Sequence, residues 1–126
     1  MKRKNIIALL AIGILIILAV YRYEKSLIIT EFSAENWRSV DSNQRYHMLE
    51  DLYAKVELIG MSSEEIEKLL GEYEFSHEAY WSDEGKCDYH WGYTVRYDSW
   101  EGYEYLLISF KDDIVVGYEL EYGSEL

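Results

Sequence analysis

A chain of 126 residues with 24 acidic and 12 basic side chains carries −12 at neutral pH, a balance that disfavours nucleic acid as a partner. The single cysteine, Cys87, excludes an internal disulfide, so packing alone must hold the fold. Aromatic residues make up 16 %, with 13 tyrosines and four tryptophans, so large rings fill much of the core.

Lys2-Arg3-Lys4 precede an unbroken apolar run from Ile6 to Val20. Every acidic residue lies beyond this run, and the nine basic and 24 acidic residues that follow it sum to −15. A cationic start ahead of an apolar helix stays in the cytoplasm while the chain behind it crosses the membrane. A spanning helix needs about 20 residues. The run reaches that length through Asn5 at one end and Tyr21 and Tyr23 at the other, with Arg22 and Lys25 suited to the interface. Leu18-Ala19-Val20-Tyr21-Arg22 matches a small-residue cleavage site poorly, and no lipoprotein cysteine follows. The expectation is therefore an uncleaved anchor. The run also has no polar face, unlike a surface helix of a soluble domain. The expected organisation is a basic cytoplasmic start at 1–4, a membrane span at 5–23, a tether at 24–33 and an extracytoplasmic domain at 34–126. What remains behind the anchor is about 100 residues, enough for one small domain.

Within that domain Trp37 falls in a short turn covering the core edge. Asp41 or Ser42 can cap a helix in which Tyr46, Leu49, Leu52, Tyr53 and Val56 recur at three- to four-residue spacing. Ser62 with Glu65 forms a capping box for a second helix, whose stripe is Ile66, Leu69 and Leu70 and whose end is Gly71. From Tyr73 the period changes to two. Tyr89, Trp91, Tyr93, Val95 and Tyr97 alternate with His90, Gly92, Thr94 and Arg96, and Tyr103 to Phe110 forms the next strand. A three-residue connection, Lys111-Asp112-Asp113, turns it into Ile114 to Tyr122, and residues 73–80 can add a fourth strand. The predicted fold is α+β: two helices packed on a three- or four-stranded antiparallel sheet, preceded by one transmembrane helix.

Two segments also resemble the SmpA/OmlA (BamE-like) family of envelope proteins, which shares its fold with β-lactamase-inhibitor protein repeats. They are Arg45-x-x-Met48-x-x-Asp51-Leu52 and Leu58-x-Gly60-Met61-Ser62-x-Glu64-Glu65-Ile66-x-x-Leu69-Leu70-Gly71, with weaker support from Tyr105-Leu106-x-Ile108-x-Phe110-x-Asp112. The likeness spans residues 35–122 and implies a non-catalytic envelope domain that works by binding proteins. The chain departs from the best-known members in lacking the lipoprotein cysteine, and Glu72-Tyr73 follows Gly71 where family loops continue into a proline.

Few residues invite chemistry. Cys87-x-x-His90, with His77, Asp83 and Asp88 nearby, has the residue types of a metal site, but positions three apart on a strand point to opposite faces unless the segment is looped. No nucleophile signature surrounds Cys87, and no Gly-rich loop follows a strand. Glu64-Glu65 suits a helix start and Asp112-Asp113 a turn. The expectation is no enzyme, no cofactor, no metal and no small-molecule substrate. If the helices cover Trp91, Tyr93, Val95, Ile108, Phe110, Val116 and Tyr118, the opposite face holds His90, Thr94, Arg96, Tyr103, Tyr105, Leu107, Val115 and Glu119. Arg96, Tyr103, Tyr105 and Leu107 on an uncovered face, with Trp100 at a loop tip, form the expected protein-binding surface. The expected partner is another envelope or secreted protein. An inhibitor or immunity-type protein that binds a secreted enzyme is the competing reading, and a hydrolase or glycan binder using Trp81, Trp100 and nearby carboxylates a third.

Overall fold

The computed structural model describes residues 2–26, 28–80, 83 and 85–123. Trp81 lies outside the described residues. The chain runs through α1 (Arg3–Ser26), α2 (Ala34–Ser39), a 3₁₀ helix (Ser42–Met48), α3 (Leu49–Lys55), α4 (Ser63–Leu70) and strands β1 (Phe75–Glu78), β2 (Tyr89–Asp98), β3 (Gly102–Lys111) and β4 (Ile114–Gly123). The strands form one antiparallel meander in the order β1-β2-β3-β4. This is the α+β architecture expected, with the fourth strand present.

Helix α1 is apolar and long enough to cross a membrane over Arg3–Tyr23. Among the described residues, none of the apolar window within Arg3–Tyr23 is buried: Leu10 and Ile17 are 64 % and 69 % exposed.

The domain helices are short and depend on caps and packing. The Ser33 side chain accepts a hydrogen bond from Asn36 N, which fixes α2 as a true helix, not merely a turn. That helix delivers Trp37, wholly buried, between Phe32 and Tyr93 with both contacts edge-on. Arg45 lies over the same indole at 4.9 Å and donates through Nε to Trp37 O. Asp41 caps the 3₁₀ helix, which continues into α3. The capping box of Ser62 and Glu65 is present, and Gly71 ends α4 at φ +79, a conformation favouring glycine. The core joins Trp37, Met48, Leu52, Leu58, Ile66 and Leu70 from the helical half to Tyr93, Val95, Leu106, Ile108, Phe110 and Val115 from the sheet.

Three details correct the sequence reading. The β3–β4 turn has two residues, not three: Lys111 pairs with Ile114, while Asp112 and Asp113 adopt φ of 53 and 62 as a primed hairpin turn requires. The other two corrections are register shifts. Thr94 pairs with Tyr105 but Arg96 pairs with Glu104, so Val95 is an extra residue. Ser109 pairs with Gly117 but Phe110 with Val115, so Val116 is another. Each bulge flips the faces beyond it. Arg96 therefore joins the helical side, where it lies 5.2 Å over Tyr46 and bonds Glu104. Val115 is core and Val116 is exposed, the reverse of the expected pair.

Candidate functional site

The sheet face away from the helices is not an open surface. Four-residue β1 pairs with β2, which sets Phe75 opposite Gly92 and His77 opposite His90. Phe75 meets Tyr105 edge-on at 4.9 Å, and His77 lies 5.0 Å from His90. Tyr105 and Leu107 are consequently 3 % and 2 % exposed. The expectation of Arg96, Tyr105 and Leu107 side by side on an uncovered face is thus corrected on two counts: β1 covers the outer face, and the bulge at Val95 removes Arg96 from it. Tyr103 stays on the outer side, partly exposed, its ring tilted against Tyr97 with centroids 4.9 Å apart.

Trp100 is placed as expected, at the tip of the β2–β3 hairpin and 95 % exposed. The tip is held by Asp98, whose Oδ1 accepts from Trp100 N at 2.7 Å and from Glu101 N at 3.4 Å. An Asx turn of this kind fixes the backbone without using the indole. The ring is presented on an ordered turn, and no described contact within the fold accounts for it. Asp98 and Glu101 flank it in the chain, so the tip is aromatic and acidic.

A groove of about 550 Å³ lies on the outer face, with Tyr80, Asp83, Lys86 and Cys87 on one side and β4 on the other. Leu107 and Ser109 from β3 lie along it, Glu119 and Glu121 come from β4, and Tyr80, Asp83, Cys87 and His90 from the other side. Here the structure overturns the divergence expected of Cys87 and His90. Cys87 precedes β2, in a turn made by Gly85 at φ +78 and by Lys86 N donating to Asp83 O, so it is not bound by strand alternation. Cys87 Sγ lies 3.5 Å from His90 Nε2, and Asp83 Oδ2 lies 3.3 Å from the same nitrogen. The other ring nitrogen, Nδ1, is 2.8 Å from Ser109 Oγ. His77 does not join them; its Nδ1 lies 3.0 Å from Glu78 O and its Nε2 3.3 Å from the Tyr80 hydroxyl. Asp88 instead accepts from Asp112 N and fixes the hairpin.

This cluster is a poor nucleophile. Burial first, and then the carboxylates of Asp83 and Asp88, push the Cys87 thiol up from its ordinary value. Nucleophilic cysteines sit in electropositive surroundings that do the opposite. The signal that could have revealed the convergence is Gly85, the residue that loops the segment ahead of β2.

No family model, curated protein or solved structure matches this chain.

Proposed function

We propose that the chain is a non-catalytic protein-binding module, tethered to a membrane by α1 with its domain outside the cytoplasm. Trp100 at the tip of the β2–β3 hairpin meets a partner protein. The observation that carries the reading is the 95 % exposure of an indole on a turn that Asp98 holds in place. Exposed tryptophans are costly to keep in water and are enriched where binding energy concentrates. Tyr97 and Tyr103, paired across β2 and β3 next to the turn, are in ring contact with each other. The carboxylates of Asp98 and Glu101 favour a partner with a basic rim around an apolar pocket, and they disfavour an anionic lipid surface. An inhibitor that inserts the tip into the cleft of a secreted enzyme is one form of the same reading. The resemblance of residues 35–122 to SmpA/OmlA domains points the same way, with the helical anchor in place of a lipid.

A photo-crosslinking amino acid at position 100 of the full chain, in native membranes, tests the reading against the same probe at position 64 on exposed α4. A discrete protein adduct from position 100 alone is expected. Lipid adducts alone from position 100, or the same products from both positions, would overturn it.

A further inference from the structure

We propose that Asp83 Oδ2, Cys87 Sγ and His90 Nε2 bind one zinc-type divalent transition metal, with the fourth position open to the outer-face groove. The three atoms lie within 4.8 Å of one another, and the residues come from one local turn and the start of β2. Tetrahedral zinc holds sulfur at about 2.3 Å and nitrogen or oxygen at about 2.0–2.2 Å. From these lengths, the edges of the tetrahedron are about 3.4 Å between nitrogen and oxygen and about 3.6 Å between nitrogen and sulfur. The observed separations are 3.3 Å and 3.5 Å. Two of the three edges thus match tetrahedral lengths, and the third, from sulfur to carboxylate oxygen, lies within 4.8 Å.

A single neutral imidazole nitrogen cannot serve both neighbours with a linear hydrogen bond. His90 Nε2 has one in-plane direction, which carries either a proton or a lone pair, yet both Asp83 and Cys87 converge on it. With Nδ1–H donated to Ser109 Oγ, Nε2 offers a lone pair to a carboxylate oxygen and a sulfur. A cation that displaces the Cys87 thiol proton to solvent then meets three donors of electron density at one point. Ser109 supplies the outer contact that metal-bound histidines regularly make through their second nitrogen, fixing tautomer and ring orientation. His90 is 4 % exposed and Cys87 9 %, so the ligands are preorganised by packing.

The donor set selects the metal. One thiolate, one imidazole and one carboxylate suit zinc and its neighbours, whereas magnesium and calcium require oxygen ligands. Three protein ligands with a fourth position facing a groove differ from the closed four-ligand pattern of structural zinc. Glu119 and Glu121 line that groove, and the open position is accessible to water or to a donor atom of a bound partner. The metal would clamp Asp83 and Cys87 to His90 of β2 and close the Cys87 end of the groove. The proposal stands on residues distinct from the hairpin tip, so either can fail without the other.

Cobalt titration of the full chain in detergent micelles tests it. One equivalent of Co²⁺ should produce tetrahedral visible bands together with a thiolate-to-cobalt charge-transfer band, and Zn²⁺ should bleach both. Cys87→Ser should remove the charge-transfer band. Asp83→Asn, at a partly exposed position that the core does not use, should weaken binding at least tenfold with circular dichroism unchanged. Ser109→Ala should weaken it by about 10–100-fold. Absence of the charge-transfer band in the wild-type chain would overturn the site, and so would Co²⁺ binding unaltered by both Cys87→Ser and Asp83→Asn.

Discussion

The Phe75 ring occupies the space above Gly92: a Cβ built on Gly92 would stand 2.1 Å from Phe75 Cζ. The two are paired across β1 and β2, and this closeness lets Phe75 cover Tyr105. Gly92→Ala should therefore displace the ring and destabilise the domain by about 1–3 kcal/mol, as overpacking does. Combining it with Phe75→Leu should recover part of the loss. Urea unfolding of single and double variants reads the coupling, and purely additive losses would show that position 92 and the ring are independent.

Leu52 is fully buried, whereas Leu69 on α4 is only partly buried at the margin of the same core. Leu52→Ala should cost about 2–5 kcal/mol by leaving a cavity. Leu69→Ala should cost clearly less in the same denaturation assay. Equal losses would mean that the α4 stripe is rotated from the observed packing.

Alkaline pH should unfold the domain early. The Tyr89 hydroxyl donates to Asp113 Oδ1 at 2.7 Å; burial, and then this bond, push its pKa up to about 12. Burial also raises Tyr93, whose hydroxyl donates to Gly71 O. In the unfolded chain tyrosine ionises near 10, so the unfolded state loses its protons first as pH rises. The stabilisation is complete below about pH 10 and is lost progressively towards about pH 12. Thermal unfolding across that window should show the decline, and Tyr89→Phe should flatten it. A wild-type stability independent of pH there would contradict the burial of both phenols.

Trp100→Ala should leave stability within about 0.5 kcal/mol of wild type, because the indole contributes no buried surface. The Asp98 turn uses the backbone of position 100, not its ring. Substantial destabilisation in thermal unfolding would show that the tryptophan serves the fold and not a partner.

Much of the fold was legible because its signals are local. The change of period at Tyr73, the Ser62–Glu65 box and Gly71 each act within a few residues. The two bulges were not legible, since strand alternation carries no mark of an inserted residue at Val95 or Val116. That one omission misplaced Arg96, Val115 and Val116 together. The cover over Tyr105 was hidden for a different reason: it depends on which residues of β1 lie opposite Gly92, a tertiary fact. The Asp83–Cys87–His90 convergence followed from a loop ending where the alternation was read as beginning. Trp100 was legible because Asp98-Ser99-Trp100-Glu101-Gly102 is turn chemistry with one residue too large for a turn.

Everything proposed for Trp100 requires residues 28–123 to lie across the membrane from Lys2-Arg3-Lys4. Alkaline phosphatase, which folds only outside the cytoplasm, fused behind Leu126 in intact cells reports this directly. An active fusion that sediments with membranes and resists high-salt extraction is the expected result. An inactive fusion, with full activity from a cytoplasmic reporter at the same position, would place the domain on the wrong side and contradict the proposed function.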